Sequence, residues 1–263
     1  MKRALGVIPA RYASTRFPGK ILASLGGKPL VEHVWRRALS AASLDRVVLA
    51  TDDERIARAA RDFGAEVEMT SPGHASGTDR VAEVAARLGD LYGVIVNIQG
   101  DEPFVTPTSL DRLVAAFDGD DPPELATLVE PFASVEDLFD PNHAKVVASS
   151  DGSALYFSRS PIPYHRGTQT SLARDFRPAL AARAGGLAGY WKHQGIYAYR
   201  PEVLAELTRM PPSPLEIDEG LEQLRALEAG IGIRIVESDF RSVTVETPAD
   251  LEKAAAVLAE ARS

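Results

Sequence analysis

The first half of the chain alternates short apolar runs, rich in Val, Ile and Leu, with longer segments whose apolar residues recur at helical spacing. Short apolar runs are typical of buried strands, and the longer period is typical of amphipathic helices. The predicted strands are ALGVIP, RVVLAT, EVEM and YGVIVNIQG, and the predicted helices are PLVEHVWRRALSA, DERIARAARDF, GTDRVAEVAARLG and SLDRLVAAF. This alternation predicts an α/β fold with a mainly parallel, doubly wound sheet, which binds ligands at the carboxyl ends of its strands.

The second half has a different pattern. LATLVEPF, AKVVASS and SALYFSRSPIPY predict antiparallel or mixed strands, and residues 166–189 form a Gly-, Ala- and Arg-rich insertion without an assigned element. The last elements are predicted as strand HQGIYAYR, one helix PLEIDEGLEQLRALEAG, strand IGIRIVES and helix TPADLEKAAAVLAEAR. Thr247 is the predicted N-cap of the final helix, with Pro248 at its first position. With no repeat or linker, residues 1–263 are predicted to form a single domain.

Composition narrows the possible functions. With 37 acidic and 29 basic side chains, the net charge is −8, so we expect neither nucleic-acid polymers nor anionic membranes as partners. The chain has no cysteine, which excludes disulfides, thiolate metal sites and cysteine nucleophiles. The N-terminal apolar stretch is too short for a signal sequence or a membrane span, and a cytoplasmic protein is therefore expected.

A cationic loop follows the first predicted strand. PARYASTRFPGK places Arg11, Arg16 and Lys20 within twelve residues. At the mouth of an α/β sheet such a loop is a plausible anion cradle, for which a triphosphate is the obvious ligand. It matches neither the P-loop nor the dinucleotide-binding motif. The alternative interpretation is three solvated loop charges.

The fourth predicted strand ends in carboxylates. VIVNIQGDEP is an apolar run that leads into Asp101 and Glu102. Hard oxygen ligands at this place suit a Mg²⁺ ion that bridges phosphates, although a turn before a helix would have the same residues. Opposite the cationic loop, these carboxylates indicate half of a nucleotide and metal site.

Eight colinear segments resemble the 3-deoxy-manno-octulosonate cytidylyltransferase (CMP-KDO synthetase) family over nearly the whole chain. They are IPARYASTRFPGK, ATDDERIA, HASGTDRVAEV, VNIQGDEPF, ALYFSRSPIP, HQGIYAYR, SPLEIDEGLEQLR and VETPADLEKA. The resemblance implies a nucleotide-diphosphosugar transferase-like (Rossmann-like) fold with a mixed, mainly parallel sheet and helices on both faces. It also implies a homodimer, with a sugar-binding and dimerisation part at about residues 130–200. The implied reaction joins CTP and KDO into CMP-KDO and diphosphate, for lipopolysaccharide biosynthesis.

The resemblance also assigns roles around the nucleotide. Arg16 and Lys20 would hold the β- and γ-phosphates and, with Asp101, would be the catalytic residues. The implied nucleotide-binding residues are Ala10, Arg11, Arg16, Lys20, Ser76, Gly77, Arg80 and Gln99. Ser76 has an alternative interpretation as the cap of the helix that follows it.

The implied metal ligands are Asp101 and Glu246. The family pattern has Asp where this chain has Glu246, and the longer side chain could favour a water-mediated contact, Mn²⁺ or slower turnover. We expect in-line attack of the sugar's anomeric hydroxyl on the α-phosphorus, with the hydroxyl activated by Mg²⁺.

The sugar is an acid with many hydroxyls, so its pocket should contain a cation with polar and aromatic groups. The implied sugar-binding residues are Gln99, Arg159, His193, Tyr197, Glu222 and Gln223. By position alone, His193 could be an ordinary strand residue, and Glu222 and Gln223 could be the outer face of a helix.

Two alternative functions stay open. One is a cytidylyltransferase for a related acidic sugar, such as 8-amino-KDO or sialic acid, or another sugar nucleotidyltransferase. The other is a catalytically weak CTP-binding homologue, which is suggested by Glu246 in the place of the family's Asp.

Overall fold

The computed structural model describes residues 3–88, 91–165 and 177–261. Seven strands form the main sheet in the order β11-β7-β10-β6-β1-β4-β5. Their bounds are β1 Ala4–Ala10, β4 Arg46–Thr51, β5 Glu66–Met69, β6 Val94–Asn97, β7 Leu125–Pro131, β10 Trp191–Tyr199 and β11 Ile233–Glu237. Only β10 runs against its neighbours in this path. The prediction of a mixed, mainly parallel α/β sheet is confirmed.

The order of the strands explains where the site lies. From β1 the chain builds outward to β4 and β5 on one side and then returns to β6 on the other side. In sheets of this kind the loops after the strands at the reversal diverge and leave a crevice. The loops that follow β1 and β6, which carry the cationic segment and Asp101, therefore meet at one edge.

Both faces of the sheet are buried. Along β1, Ala4 and Ile8 belong to one apolar core, whereas Leu5 and Val7 belong to the core on the opposite face. This alternation explains why the strand is an unbroken apolar run in the sequence, since each successive side chain enters one of two cores. The main helices are α1 Leu30–Leu39, α2 Glu54–Asp62, α3 Gly77–Leu88, α4 Pro107–Ala115 and α7 Pro201–Leu207. Helix α7 was not predicted from the sequence. A short hairpin formed by β2 Ser24–Leu25 and β3 Lys28–Pro29 was not predicted either.

A smaller antiparallel extension lies beside β10. It consists of β8 Lys145–Ala148, which pairs with β10, and β9 Ala154–Ser158, which pairs with β8. The short helices α5 Val135–Phe139 and α6 Arg177–Ala181 accompany it, with Leu138 and Leu180 in a shared apolar cluster. Part of the unassigned insertion, residues 166–176, lies outside the described residues.

The prediction of a single helix over residues 214–230 is wrong. The structure has two short helices, α8 Pro214–Glu219 and α9 Leu224–Glu228. Gly220 ends α8 with φ of 61°, a left-handed conformation that glycine adopts without steric cost. Glu222 and Gln223 therefore lie on the connection between two helices and not on the outer face of one.

The final helix agrees with its start signal. In α10 Pro248–Glu260, Thr247 Oγ1 accepts a hydrogen bond from the Asp250 amide at 3.3 Å, and Asp250 Oδ2 accepts one from the Thr247 amide at 3.0 Å. This reciprocal capping satisfies two amides at the start of the helix. Among the described helices, none has the length and apolar character needed to cross a membrane.

Candidate active site

Two adjoining clefts open at the carboxyl ends of β1 and β6. The first cleft, of about 340 Å³, lies between the loop after β1, the start of α3 and the residues after β6. The second cleft, of about 770 Å³, lies between the end of β7, strand β10, Arg159 and the segment 241–250. Arg16 and Glu246 line both clefts. The site is therefore a two-part depression with these two side chains at the junction.

The cationic loop is closed at its base. The Gly19 amide donates a hydrogen bond to the Tyr12 carbonyl at 2.9 Å, and Gly19 has φ of 72°. A Cβ at Gly19 would lie only 3.0 Å from the Tyr12 ring, so glycine is needed for the closure. Outside the loop, the Arg55 guanidinium stacks 3.3 Å from the centre of the Tyr12 ring. These contacts fix the end of the loop from which Lys20 extends into the first cleft.

Each predicted phosphate ligand is paired with a predicted metal ligand. Lys20 Nζ lies 2.5 Å from Asp101 Oδ2, and Arg16 Nη1 lies 2.5 Å from Glu246 Oε2. The Lys20 and Asp101 side chains are 15% and 18% exposed, whereas those of Arg16 and Glu246 are 59% and 38% exposed. A backbone hydrogen bond of 3.0 Å from the Val245 amide to the Asp101 carbonyl brings the two carboxylates to the same cleft.

The donor set fits a divalent cation that arrives with phosphates. The described residues contain no cluster of three or more carboxylates or histidines that could hold a metal ion alone. Asp101 and Glu246 both line the first cleft and supply oxygen ligands. Mg²⁺ is commonly held by one or two carboxylates together with substrate phosphates, which is the arrangement these residues allow.

The start of α3 forms the opposite wall of the first cleft. Ser76 Oγ accepts a hydrogen bond from the Asp79 amide at 3.1 Å, and Asp79 Oδ2 accepts one from the Ser76 amide at 3.0 Å. The capping interpretation of Ser76 is thus observed, and the residue also lines the cleft. Gly77 lies against β1, since a Cβ there would be 3.4 Å from the Pro9 ring. A side chain as small as a methyl group at this position would make an ordinary van der Waals contact with the strand end.

The remaining predicted nucleotide residues differ in how they are held. Arg80 is buried, pairs with Asp52 at 3.2 Å and donates a hydrogen bond to Thr70. Arg11 is exposed and makes no ion pair or hydrogen bond with the described part of the chain. The first cleft is lined by Ala10, Arg11, Arg80 and Gln99. The sequence had not indicated Asp52 as the ion-pair partner of Arg80. Arg80 is thus fixed in one position, whereas Arg11 is open to a ligand.

Gln99 stands near the junction of the clefts. Its amide nitrogen lies 3.4 Å from Asn97 Oδ1, and its Cγ is 3.7 Å from the position of a Cβ on Gly195. Gly195 lines the second cleft, whereas Gln99 lines the first. This position is compatible with both roles predicted for Gln99, toward the nucleotide and toward the sugar.

Arg159 reaches the second cleft but is largely engaged with the backbone. Its guanidinium donates to the Glu219 carbonyl at 2.7 Å, the Pro141 carbonyl at 3.0 Å and the Gly220 carbonyl at 3.2 Å. Its own carbonyl accepts a 2.7 Å hydrogen bond from Lys145 Nζ, and burial lowers the pKa of that lysine to about 8. Arg159 therefore clamps the end of α8 against β9, which sequence reasoning had not indicated.

Other cations line the second cleft. Lys192 Nζ pairs with Glu130 at 3.2 Å. Arg241 is exposed and forms no ion pair within the described residues. The second cleft therefore has positive charge that could bind an acidic ligand. Arg159 is held by three backbone carbonyls, whereas Arg241 forms no ion pair with the described residues.

His193 belongs to a hydrogen-bonded chain that fixes its tautomer. The Thr127 hydroxyl, opposite the bulge in β10, lies 3.0 Å from the Ile196 carbonyl and 3.2 Å from the Gln194 carbonyl, and its one proton is used there. On this basis His193 Nε2, 2.9 Å from Thr127 Oγ1, is assigned as the protonated nitrogen that donates to it. Nδ1 is left as an acceptor 3.5 Å from Gln223 Nε2.

The chain of hydrogen bonds requires a neutral imidazole. Because the ring is desolvated, the pKa of His193 is lowered to about 3. A second proton on Nδ1 would also place a donor against the Gln223 amide nitrogen. His193 therefore presents a neutral ring with a defined acceptor nitrogen at physiological pH.

Three of the predicted sugar residues lie behind His193. Tyr197 donates to Gln223 Oε1 at 3.1 Å, and Glu222 accepts a hydrogen bond from Thr78. Tyr197, Glu222 and Gln223 line a separate small cavity of about 20 Å³, and of the predicted sugar residues only Arg159 and His193 line the second cleft. The structure thus brings these residues into one network but places only part of it at the cleft surface.

Sequence reasoning missed Thr127, and it placed Glu102 among the cation ligands, whereas the structure buries Glu102 away from both clefts. Thr127 is a buried polar residue inside the apolar segment LATLVEPF, and this exception in the pattern is the signal that could have identified it. Glu102, next to Asp101, is buried and accepts hydrogen bonds from the hydroxyls of Ser242, at 2.7 Å, and Thr244. Burial raises the pKa of Glu102 to about 7, and these two hydrogen bonds act in the opposite direction.

Comparison with known proteins gives consistent results. A family described as Cytidylyltransferase matches residues 5–237. The 3-deoxy-manno-octulosonate cytidylyltransferase of Geobacter metallireducens is 49% identical over 247 residues, which cover 94% of each protein. That of Parabacteroides distasonis is 46% identical and covers 98% of this chain and 99% of its own.

Solved structures agree with this result. A CMP:2-keto-3-deoxy-manno-octonic acid synthetase in complex with CTP has a TM-score of 0.85 at 41% identity, covering 98% of this chain and 99% of its own. A 4-diphosphocytidyl-2C-methyl-D-erythritol synthase from Anaerococcus prevotii has a TM-score of 0.62 at 10% identity, covering 98% of this chain and 99% of its own. The second likeness shows a shared fold only.

Proposed function

Because the chain belongs to the 3-deoxy-manno-octulosonate cytidylyltransferase family of nucleotidyltransferases, we propose that it transfers CMP from CTP to KDO. In this reaction the anomeric hydroxyl oxygen of the sugar forms a bond to the α-phosphorus. The bond from that phosphorus to the oxygen bridging the α- and β-phosphates breaks, diphosphate leaves, and the hydroxyl proton passes to solvent. The product, CMP-KDO, would serve lipopolysaccharide biosynthesis.

The observation that supports this function is the pair of clefts that meet at Arg16 and Glu246. The first cleft offers Arg11, Arg16 and Lys20 to a triphosphate, and the second offers Arg159, Arg241 and His193 to an acidic, hydroxyl-rich sugar. The reaction needs the α-phosphorus and the sugar hydroxyl at one place, which is the junction of the clefts. Holding both reactants there supplies much of the rate enhancement by orientation.

Binding of CTP would exchange charge partners in the first cleft. A triphosphate takes over Arg16 and Lys20, which now pair with Glu246 and Asp101. The exposed Arg16 pair contributes little stability, so its exchange costs about 1 kcal/mol or less. Asp101 and Glu246 are then released to hold a divalent cation together with the phosphates.

We propose Mg²⁺ as the cofactor, with Asp101 and Glu246 as its ligands. When bound, the cation would neutralise phosphate charge and lower the pKa of a coordinated hydroxyl. Arg16 and Lys20 stabilise the departing diphosphate by charge. The neutral His193 and the backbone clamp of Arg159 keep the wall of the second cleft in place.

The test is release of diphosphate in the presence of Mg²⁺ from each pairing of CTP, UTP or ATP with KDO, 8-amino-KDO or sialic acid. We expect release with CTP and KDO. For Asp101→Asn we expect kcat to fall by about 100-fold or more, because the variant would no longer hold the divalent cation whose positive charge stabilises the reacting phosphates. Glu54→Gln is the control, since among the described residues the Glu54 side chain pairs only with the exposed Arg61 on the surface. Release with a different sugar would reassign the substrate, and binding of CTP without release from any pair would contradict the proposed activity.

We also propose a homodimer in the cytoplasm. In the described part of the sheet, β9 pairs with β8 along one edge only, apart from one bridge between Ser153 and Arg234. Leu155 on this strand is 62% exposed. Open strand edges with exposed apolar side chains are sites of association. Sedimentation velocity should give a dimer for the native chain and a monomer for Leu155→Lys. The proposed location is tested separately by cell fractionation, in which the protein should be found in the cytoplasmic fraction.

A further inference from the structure

Glu102 is a buried carboxyl group beside the site that lines neither cleft. It follows Asp101 directly, yet its side chain turns into the protein, where it is 2% exposed. Its Oε1 atom accepts hydrogen bonds from the hydroxyls of Ser242 and Thr244. Its Oε2 atom is buried and has no hydrogen-bond partner among the described residues. A carboxyl group in such a place is costly compared with an apolar side chain of similar size. Stability alone therefore does not explain it.

The two hydroxyls belong to a segment that depends on outside contacts for its shape. Residues 241–246 contain no helix or strand. Besides the bonds to Glu102, the Ser242 amide donates to Glu130 Oε1 at 3.1 Å, and the Val245 amide donates to the Asp101 carbonyl at 3.0 Å. The segment presents Arg241 to the second cleft and Glu246 to both clefts.

From this arrangement we propose that Glu102 is a positioning residue, which acts through Ser242 and Thr244 to set Glu246 opposite Asp101. The inference rests on the proposed function, because it concerns the two carboxylates of that site. Groups that orient ligand side chains commonly change metal affinity or activity by about 10- to 100-fold when they are removed.

A second cluster in the same region supplies a matched control. Asp239 accepts hydrogen bonds from the hydroxyls of Thr106 and, at 2.7 Å, Ser109. The chemistry is the same, one carboxylate with two hydroxyls, and it holds the chain just before segment 241–246. Asp239 lines neither cleft, so it tests for a general loss of structure.

The test compares Glu102→Met, Glu102→Gln and the double variant Ser242→Ala/Thr244→Val with Asp239→Asn. The measurements are kcat and KM, Mn²⁺ binding with CTP present by electron paramagnetic resonance, CTP binding without metal, and Tm. For Glu102→Met and the double variant we expect Mn²⁺ affinity and kcat to fall by about 10-fold or more, with CTP binding within about twofold. Glu102→Gln, which keeps an acceptor oxygen, should recover most of the loss, and Asp239→Asn should retain Mn²⁺ affinity.

The outcomes separate this inference from the proposed function. Equal Mn²⁺ affinity in the native chain, Glu102→Met and the double variant would overturn it, and so would an equal loss in Asp239→Asn. Should Glu102→Met fail to fold, the double variant alone decides, since it leaves Glu102 in place. A native chain that binds Mn²⁺ with CTP but does not use KDO would overturn the proposed substrate and leave the positioning role supported by the binding data.

Discussion

The Lys20 ammonium lies 2.5 Å from the Asp101 carboxylate, so a predicted phosphate ligand and a predicted metal ligand neutralise one another across the first cleft. The pair is mostly shielded from water, with both side chains less than one-fifth exposed. In the proposed function, a phosphate would compete with Asp101 for Lys20, and a cation would compete with Lys20 for Asp101. Binding of either ligand would therefore free the residue that the other ligand needs.

Lys20→Met should show this competition directly. Without the ammonium, Asp101 is open to cations, so Mn²⁺ affinity measured without nucleotide should rise by about fivefold or more, since about fivefold is the upper end for a fully exposed ion pair and this pair is shielded. Turnover should fall by about 100-fold or more, because the leaving diphosphate loses a positive charge. Mn²⁺ titration and diphosphate release measure the two effects. Lys28→Met, which removes a helix-surface partner of Glu32, is the control, and unchanged Mn²⁺ affinity in Lys20→Met would contradict the competition.

Glu246→Asp tests whether the longer carboxylate limits the enzyme. Glu246 already reaches both clefts and pairs with Arg16 at 2.5 Å, so we expect kcat to change by less than about tenfold with Mg²⁺ or Mn²⁺. Rates of diphosphate release in the two metals give the answer. An increase of two orders of magnitude would instead support a catalytically weak CTP-binding homologue.

Thr127→Val should disturb the sugar side of the site alone. The variant keeps the shape of the side chain but removes the acceptor of His193 Nε2–H, so the ring should populate both tautomers. We expect a higher KM for the sugar, an unchanged KM for CTP, and a change in the ¹⁵N shifts of His193. Thr208→Val is the control, because within the described part of the chain the Thr208 hydroxyl donates only to carbonyls of the preceding helix, at Leu204 and Ala205. Identical ¹⁵N spectra of His193 would refute the tautomer assignment.

The stability of the fold should depend on pH through His193. Its pKa is about 3 in the folded chain against 6.5 when unfolded, so its contribution is complete above pH 6.5 and is lost as the pH falls toward 3. Between pH 6.5 and 5, the native chain should lose about 1.6 kcal/mol more unfolding free energy than His193→Gln, because the slope rises from half to nearly the whole of about 1.36 kcal/mol per pH unit over this range. Urea unfolding of both chains at each pH measures the difference. Parallel pH curves would show that His193 is not the group responsible.

Much of the fold was predictable because its signals are local. The apolar run at β1 predicts a strand that is buried on both faces, and the Thr247 cap predicts the start of α10, since each depends only on neighbouring residues. The meeting of the loop after β1 with Asp101 after β6 was also predictable, because parallel strands place their carboxyl ends at one edge. The resemblance to a known family supplied the roles of the individual residues.

The sequence by itself thus determined the α/β elements, the cationic loop and the membership of the family. Only the tertiary structure decided which charges meet: Lys20 with Asp101, Arg16 with Glu246, and Arg159 with backbone carbonyls. It also divided the predicted helix at Gly220, because the long-range hydrogen bonds of Arg159 to the Glu219 and Gly220 carbonyls outweigh the local helical pattern. The physical reason is that hydrogen-bond and ion-pair partners far apart in the chain are chosen by packing, which no periodicity within one segment records.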